Sequence, residues 1–184
     1  MSAGKLQQCD APNNLYNKPM NLFVAAFIGS PSMNLFEAVI ANDGQSLQLG
    51  SQIVALSASL HQLQPELAKY FGRSVVVGIR AEDLPLAEGD AVHGPTLHGE
   101  VEAVEELGSE LLVHFSIDAT RVIPDTVTDE SSDDFVAQVP INIAGEGIAR
   151  VQPRATLKVG DHAQFAVFSD RIHFFDAESQ NAIA

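Results

Sequence analysis

Four clustered carboxylates and six imidazoles carry most of the chemical potential of this 184-residue sequence. Glu100, Glu102, Glu105 and Glu106 could supply a general acid and base if one had a raised pKa. That requires burial or a close like charge. Their near-alternating spacing puts them on the exposed face of a strand, where neither condition arises. The histidines are His61, His93, His98, His114, His162 and His173. His93 and His98 flank Gly94-Pro95 and could share a metal, but no HxH or HExxH string accompanies them. His114 and His173 lie opposite the large apolar residues of their segments and read as solvent-facing. Cys9 is the single cysteine, which excludes a disulfide or a multi-cysteine metal site within this sequence. Beyond Lys5 it has no cationic neighbour to activate its thiol. The serines have no GxSxG setting. A phosphate cradle of the form GxxxxGK[ST] does not occur. Ala144-Gly145-Glu146-Gly147 is the nearest glycine-rich spot, and its glutamate would repel a phosphate. No catalytic, cofactor-binding or metal residue is therefore assigned, and the sequence does not read as an enzyme.

The composition narrows the partners. The net charge is −14, with only ten lysines and arginines. A nucleic-acid binder needs a basic footprint, so nucleic acid is not expected as a ligand. Attachment to anionic lipid is disfavoured for the same reason. With 46% hydrophobic residues the chain can bury a core. No run approaches 18 apolar residues, and the N-terminus lacks a signal layout. The sequence reads as a soluble intracellular protein.

The elements follow from periodicity and punctuation. Asp10 to Tyr16 resembles a helix start, with Pro12 tolerated in the first turn and Pro19 beyond its end. Leu22 to Ile28 forms a second short helix on which Leu22, Phe23, Ala26 and Phe27 share one face. Gly29 suits its end, and Pro31 cannot continue it. From Leu35 onward the pattern is mostly strand. Asp43-Gly44 between apolar runs predicts a hairpin. Gln64 to Phe71 reads as the one short helix of this later part. Ser74 to Arg80 is β-branched and predicts a buried strand. Leu97–Leu107 and Leu111–Ile117 flank a turn at Leu107-Gly108-Ser109-Glu110. Phe135–Val139 reads as a short strand and Ile141–Val151 is ambiguous. Asp125 to Asp134 is acidic and serine-rich and reads as a loop. His162–Phe168 and Arg171–Phe175 are further strands, and Asp176–Ala184 is a polar tail. Eight or nine short strands without interleaved helices predict a mainly β protein of small OB-like barrels.

The strings in this order resemble a family. Leu6-Gln7-Gln8, Ala11-Pro12, Leu15-Tyr16, Pro19, Phe23 to Pro31 and Met33-Asn34 look like the back end of a bacterial ABC-importer ATPase of the carbohydrate-uptake group (maltose, multiple-sugar and glycerol-phosphate importers). Val77-Gly78-Ile79-Arg80 with Glu82-Asp83, the Gly99–Gly108 strand and turn, and His173-Phe174-Phe175-Asp176 agree with it. Ala81 stands where the family usually has proline. Pro124 to Gly147 looks like an insertion.

The resemblance implies a transport-associated OB (TOBE) regulatory domain built from a pair of OB-like subdomains over residues 31–184. Residues 1–30 would be the remnant of the ATPase domain and its linker, in two short helices, with the insertion near 124–147. The Walker motifs, signature loop and switch histidine would lie before Met1, and Met1-Ser2-Ala3 would be an early or engineered start. ATP and magnesium would then belong to the full-length parent, and no cofactor to this chain. The implied partners are a second copy, the ATPase domain, permease subunits and, in some members, a regulatory protein. The implied place is the cytoplasm, peripheral on the inner face of the cell membrane. The candidate interface falls on Leu22, Phe23, Ala26, Phe27, Met33, Arg80, Glu82, Gly108, Ser109 and Glu110. The helical face of Leu22, Phe23, Ala26 and Phe27 would have met the ATPase domain and must otherwise fold back on the barrel or meet a second copy. An alternative reading is a small-ligand domain that senses a sugar or an anion.

Overall fold

Asp43-Gly44 makes the turn its residue types require. Gly44 has φ +70°, and a side chain there would strike the Phe71 ring. The Asp43 carboxylate accepts from the Gln45 amide at 2.9 Å. The turn joins β1 (Asn34–Ile40) to β2 (Ser46–Leu49), and β3 (Gln52–Ala55) follows. The other strands are β4 (Ser74–Ile79), β5 (Thr96–Glu106), β6 (Leu111–Thr120), β7 (Ala144–Val151), β8 (His162–Ala166) and β9 (His173–Asp176). The computed structural model describes residues 4–88, 94–124 and 144–183. Within them the protein is mainly β, as the strand periodicity predicts.

All strand pairs are antiparallel and form two sheets, ordered β3-β2-β1-β4-β9 and β7-β6-β5-β8. β6 alternates inward Leu111, Val113, Phe115, Ile117 and Ala119 with more exposed residues. Those inward side chains meet Phe36, Ile40, Val75, Val77 and Phe174 of the first sheet in one shared core. Each buried phenylalanine there contributes about 2–3 kcal/mol of apolar burial. The sheets are also tied by hydrogen bonds. Asn34, 6% exposed, donates its amide to the carbonyls of Ile79 (3.0 Å) and Ile148 (2.9 Å) and accepts from the Ile148 amide (2.7 Å). One side chain at the head of β1 thus holds β4 and the edge of β7 together.

Several expectations are corrected. The helix read at Gln64–Phe71 is a 3-10 helix, Pro65–Tyr70, and a separate one-turn helix, Leu60–Leu63, precedes it. Pro65 lacks the amide that would make them continuous. Of the ambiguous run Ile141–Val151, Ala144–Val151 is strand β7, and Ala144–Gly147 pair with β6. The acidic stretch Asp125–Asp134, the strand at Phe135–Val139 and most of the 124–147 insertion lie outside the described residues. The tail is not merely polar. Ile183 is buried, its amide donates to the Phe174 carbonyl (2.8 Å), and Ala182 bridges Phe175.

Two short helices precede the sheets, α1 (Pro12–Asn17) and α2 (Leu22–Phe27). Asn21 caps α2 by accepting from the Val24 amide at 3.0 Å. Leu22, Val24 and Ala25 of α2 are buried, and Leu22 and Ala25 pack with Met33, Leu35, Val76 and Phe175 on the outer side of the first sheet. The expected shared face therefore splits. Leu22 points inward and Ala26 is half-buried, while Phe23 and Phe27 stack on each other at 5.6 Å, with Phe27 61% exposed.

Candidate functional site

The 80–84 stretch follows β4 and turns as a short 3-10 segment, Ala81–Asp83. Arg80 sits at its entrance and is 3% exposed. Its guanidinium lies 3.5 Å from the centroid of the Tyr16 ring. Nη1 donates to the Ile28 carbonyl (2.9 Å), and Nη2 donates to the carbonyl of Tyr16. Tyr16 closes the loop by donating its hydroxyl to Glu82. Arginine suits this position because its planar group can stack and donate at once, which a lysine cannot do. Burial draws Arg80 below its ordinary pKa, and burial with the Glu82 bond raises that of Tyr16. α1 buries no residue of its own. Its hold on the sheet runs through Tyr16.

A second layer surrounds this node. Asp83, nearly buried, is paired with Arg171 at 2.8 Å, and that bond raises the Arg171 pKa. His173 on β9 is held neutral. Burial and then the Arg80 charge push its pKa down to about 4. The solvent-facing expectation for His173 is thus corrected: its side chain is half-buried, with the Arg80 guanidinium close by. His114 is half-buried and bonds Glu105 at 2.7 Å. Arg150 on β7 pairs with Glu110 (3.3 Å) and donates to the Ser30 carbonyl (3.0 Å). It links the β5–β6 turn to the segment after α2.

The candidate interface residues are therefore placed as follows. Arg80 and Glu82 form the node, and Glu110 reaches its neighbourhood through Arg150. Gly108, at φ +82° with open space around it, and Ser109 form the exposed β5–β6 turn. Leu22 is buried against the first sheet, and Met33 is buried against Gly78. Phe23, Ala26 and Phe27 remain at the surface or its edge. Sequence reading gave no site role to Tyr16, Asp83, Arg150, Arg171 or His173. The only signal was that Tyr16, Asp83 and His173 lie in the strings that resemble the importer family. The Gly145 and Gly147 spot proves to be a packing device. A side chain at Gly147 would lie 2.5 Å from the Phe115 ring, and one at Gly99 2.6 Å from it. Among the described residues no group of three or more acidic, histidine or cysteine side chains could hold a metal. Nor is any helix among them long and apolar enough to cross a membrane.

An antiparallel OB-type module with its preceding segment locked onto one sheet is the class of protein these features define. The MalK OB fold domain matches residues 29–84, and the TOBE domain matches residues 77–139. The osmoprotective compounds uptake ATP-binding protein of Synechocystis is 34% identical over 100% of this chain and 43% of its own length. The trehalose/maltose import ATP-binding protein of Thermococcus litoralis is 42% identical over 64% of this chain and 32% of its own. The sn-glycerol-3-phosphate import ATP-binding protein of Chromobacterium violaceum is 32% identical over 100% and 40%. Among solved structures, a cytoplasmic molybdate-binding protein covers 77% of this chain at 15% identity and a TM-score of 0.49, a likeness too loose to carry a functional argument. Across residues 29–139 the chain carries MalK-type OB and TOBE domains, and relatives that match it are ATP-binding proteins of sugar and glycerol-phosphate importers. It spans about two fifths of the length of such relatives, 43% and 40% in two of them.

Proposed function

We propose that this chain is the regulatory and dimerisation module of an ATP-binding subunit that energises import of sugars or related solutes. The tandem match of both domains over residues 29–139, with import subunits as relatives, supports the reading. In this role the module binds no nucleotide. ATP and magnesium act in a separate ATPase domain of the subunit, at the cytoplasmic face beside the permease. The Arg80–Tyr16–Glu82 node gives the module its mechanical part. It fixes residues 12–28 to the 80–84 turn, so that a pull on this segment moves the sheet rather than bending the chain at Gly29.

Two measurements test the reading. Titration calorimetry with magnesium ATP is expected to show no binding, and saturable binding would sink the non-catalytic assignment. Sedimentation velocity over a range of concentrations is expected to show a reversible dimer. A monomer at every concentration would remove the dimerisation role.

A further inference from the structure

The run from Gly44 to Pro65 contains no Asp, Glu, Lys or Arg, in a chain with 24 acidic and ten basic residues. It supplies β2 and β3, the two strands at one side of the first sheet. α2 packs over Leu35, Val76 and Phe175, so it covers the outer side of that sheet along β1, β4 and β9 only. Beyond its reach the registers set Ser74, Val39, Gln48 and Ile53 in one row across four strands. All four side chains are exposed, Val39 at 41% and Ile53 at 73%. On one side of the row lie the small residues Ala41, Ser46 and Ala55. On the other lie Glu37 and, next to Gly50, Asp118. β3 is also an edge strand, and Gln52–Ala55 carries none of the charges, prolines or bulges that keep edges apart.

Charge decides what can cover this face. At a net −14, two copies repel wherever their acidic surfaces meet. A basic partner would be drawn to those acidic surfaces and not to the part without charge. A second copy meets the least repulsion here. A two-fold axis running across the strands sets the row on its own copy, Ile53 on Ile53 and Val39 on Val39. It also lays Glu37 of one copy over the small Ala41 and Ser46 of the other, away from a second carboxylate. We propose that the uncharged outer face of β1–β3, centred on Val39, Gln48 and Ile53, is the surface through which two copies of this chain associate. The proposal rests on the dimerisation reading and names its surface. Strands about 4.8 Å apart, with about 6.8 Å per two residues, give the face roughly 400 Å². That is about half of a standard interface per partner, so the dimer is weak and reversible.

The test is sedimentation equilibrium of the full chain up to about 1 mM, where a dimer held by so small a face is populated. It is paired with cross-saturation NMR between labelled and unlabelled copies. The expected result is a concentration-dependent dimer, with intensity lost at residues 39, 46–48 and 53–55. Ile53→Lys charges a side chain that is 73% exposed. It should keep the thermal midpoint and weaken dimerisation at least about tenfold. Gln48→Glu, also at an exposed position, should act in the same direction. Phe27→Lys adds the same charge on the 61% exposed ring of α2 and should leave the dimer at wild-type strength. A dimer that survives both row variants, or one that Phe27→Lys disrupts, would overturn this surface and leave the dimerisation reading standing. A chain that stays monomeric at every concentration would overturn both.

Discussion

At the scale of single residues, Arg80 and His173 make opposite demands on the same few ångströms. Arg80 is charged and buried, and its two terminal nitrogens donate to carbonyls while its plane lies against a ring face. Replacing it with methionine keeps the stem and leaves the Ile28 and Tyr16 carbonyls without their donor. Arg80→Met is expected to cost about 2–4 kcal/mol in urea unfolding. It should also speed amide exchange across residues 12–28 while β5 and β6 stay protected. His173 is a pH probe of this site. Its folded pKa of about 4 lies below the ordinary 6.5, so the unfolded chain takes up the proton first as pH falls. The associated stability is full above pH 6.5 and is lost progressively down to about pH 4. The loss amounts to at most about 3 kcal/mol. His173→Gln should flatten stability between those values, and an unchanged acid limb would show that other groups cause it. Neither role could be read from the local pattern. Strand alternation assigns His173 an outward face correctly, but it carries no information about Arg80, whose guanidinium lies close by.

At the scale of elements, α2 decides how far periodicity can be trusted. Six residues give too few turns to fix the azimuth of an apolar stripe. Leu22, Phe23, Ala26 and Phe27 form a plausible face, yet the sheet takes Leu22 and Ala25. Leu22→Ala is expected to cost about 2–4 kcal/mol, whereas Phe27→Ala should stay within about 0.5 kcal/mol of wild type. Thermal unfolding of the two variants reads the difference. The strands were more legible. Their turns carry Asp-Gly and Gly-Ser, and β6 alternates over its full length. β7 was not legible because its glycines look like loop residues. They are small for a packing reason, since Phe115 lies over Gly147 from the neighbouring strand. Gly147→Ala should overpack that contact and cost about 1–3 kcal/mol, measurable as a lower denaturation midpoint.

At the scale of the whole molecule, the chain closes on itself. Asn21 bridges Asn181, the Leu22 amide donates to the Gln180 carbonyl at 2.9 Å, and the Ala182 amide donates to the Met20 carbonyl at 2.9 Å. Removing residues 177–184 is expected to loosen the link between α1 and α2, where the tail holds Met20 and Leu22. Limited proteolysis should then cut near residues 18–21 in the shortened chain and spare that region in the intact one. The resemblance of separate strings gave the order of the segments. It could not give the pairing of β4 with β9, because a strand's partner is chosen by tertiary packing and leaves no local trace.

That pairing sets an order of assembly. A chain is made from its N-terminus, and its folding units form as they emerge. β4 is synthesised long before β9, and the whole of the second sheet is made between them. Until β9 arrives, one edge of β4 stays without its partner, the kind of edge that recruits other strands. Residues 20–22 wait as long, because the backbone groups that hold Met20 and Leu22 belong to residues 180 and 182. The link between the opening helices is thus made early and secured late, and a ribosome paused between β8 and β9 would hold a module whose first sheet is still open at one edge.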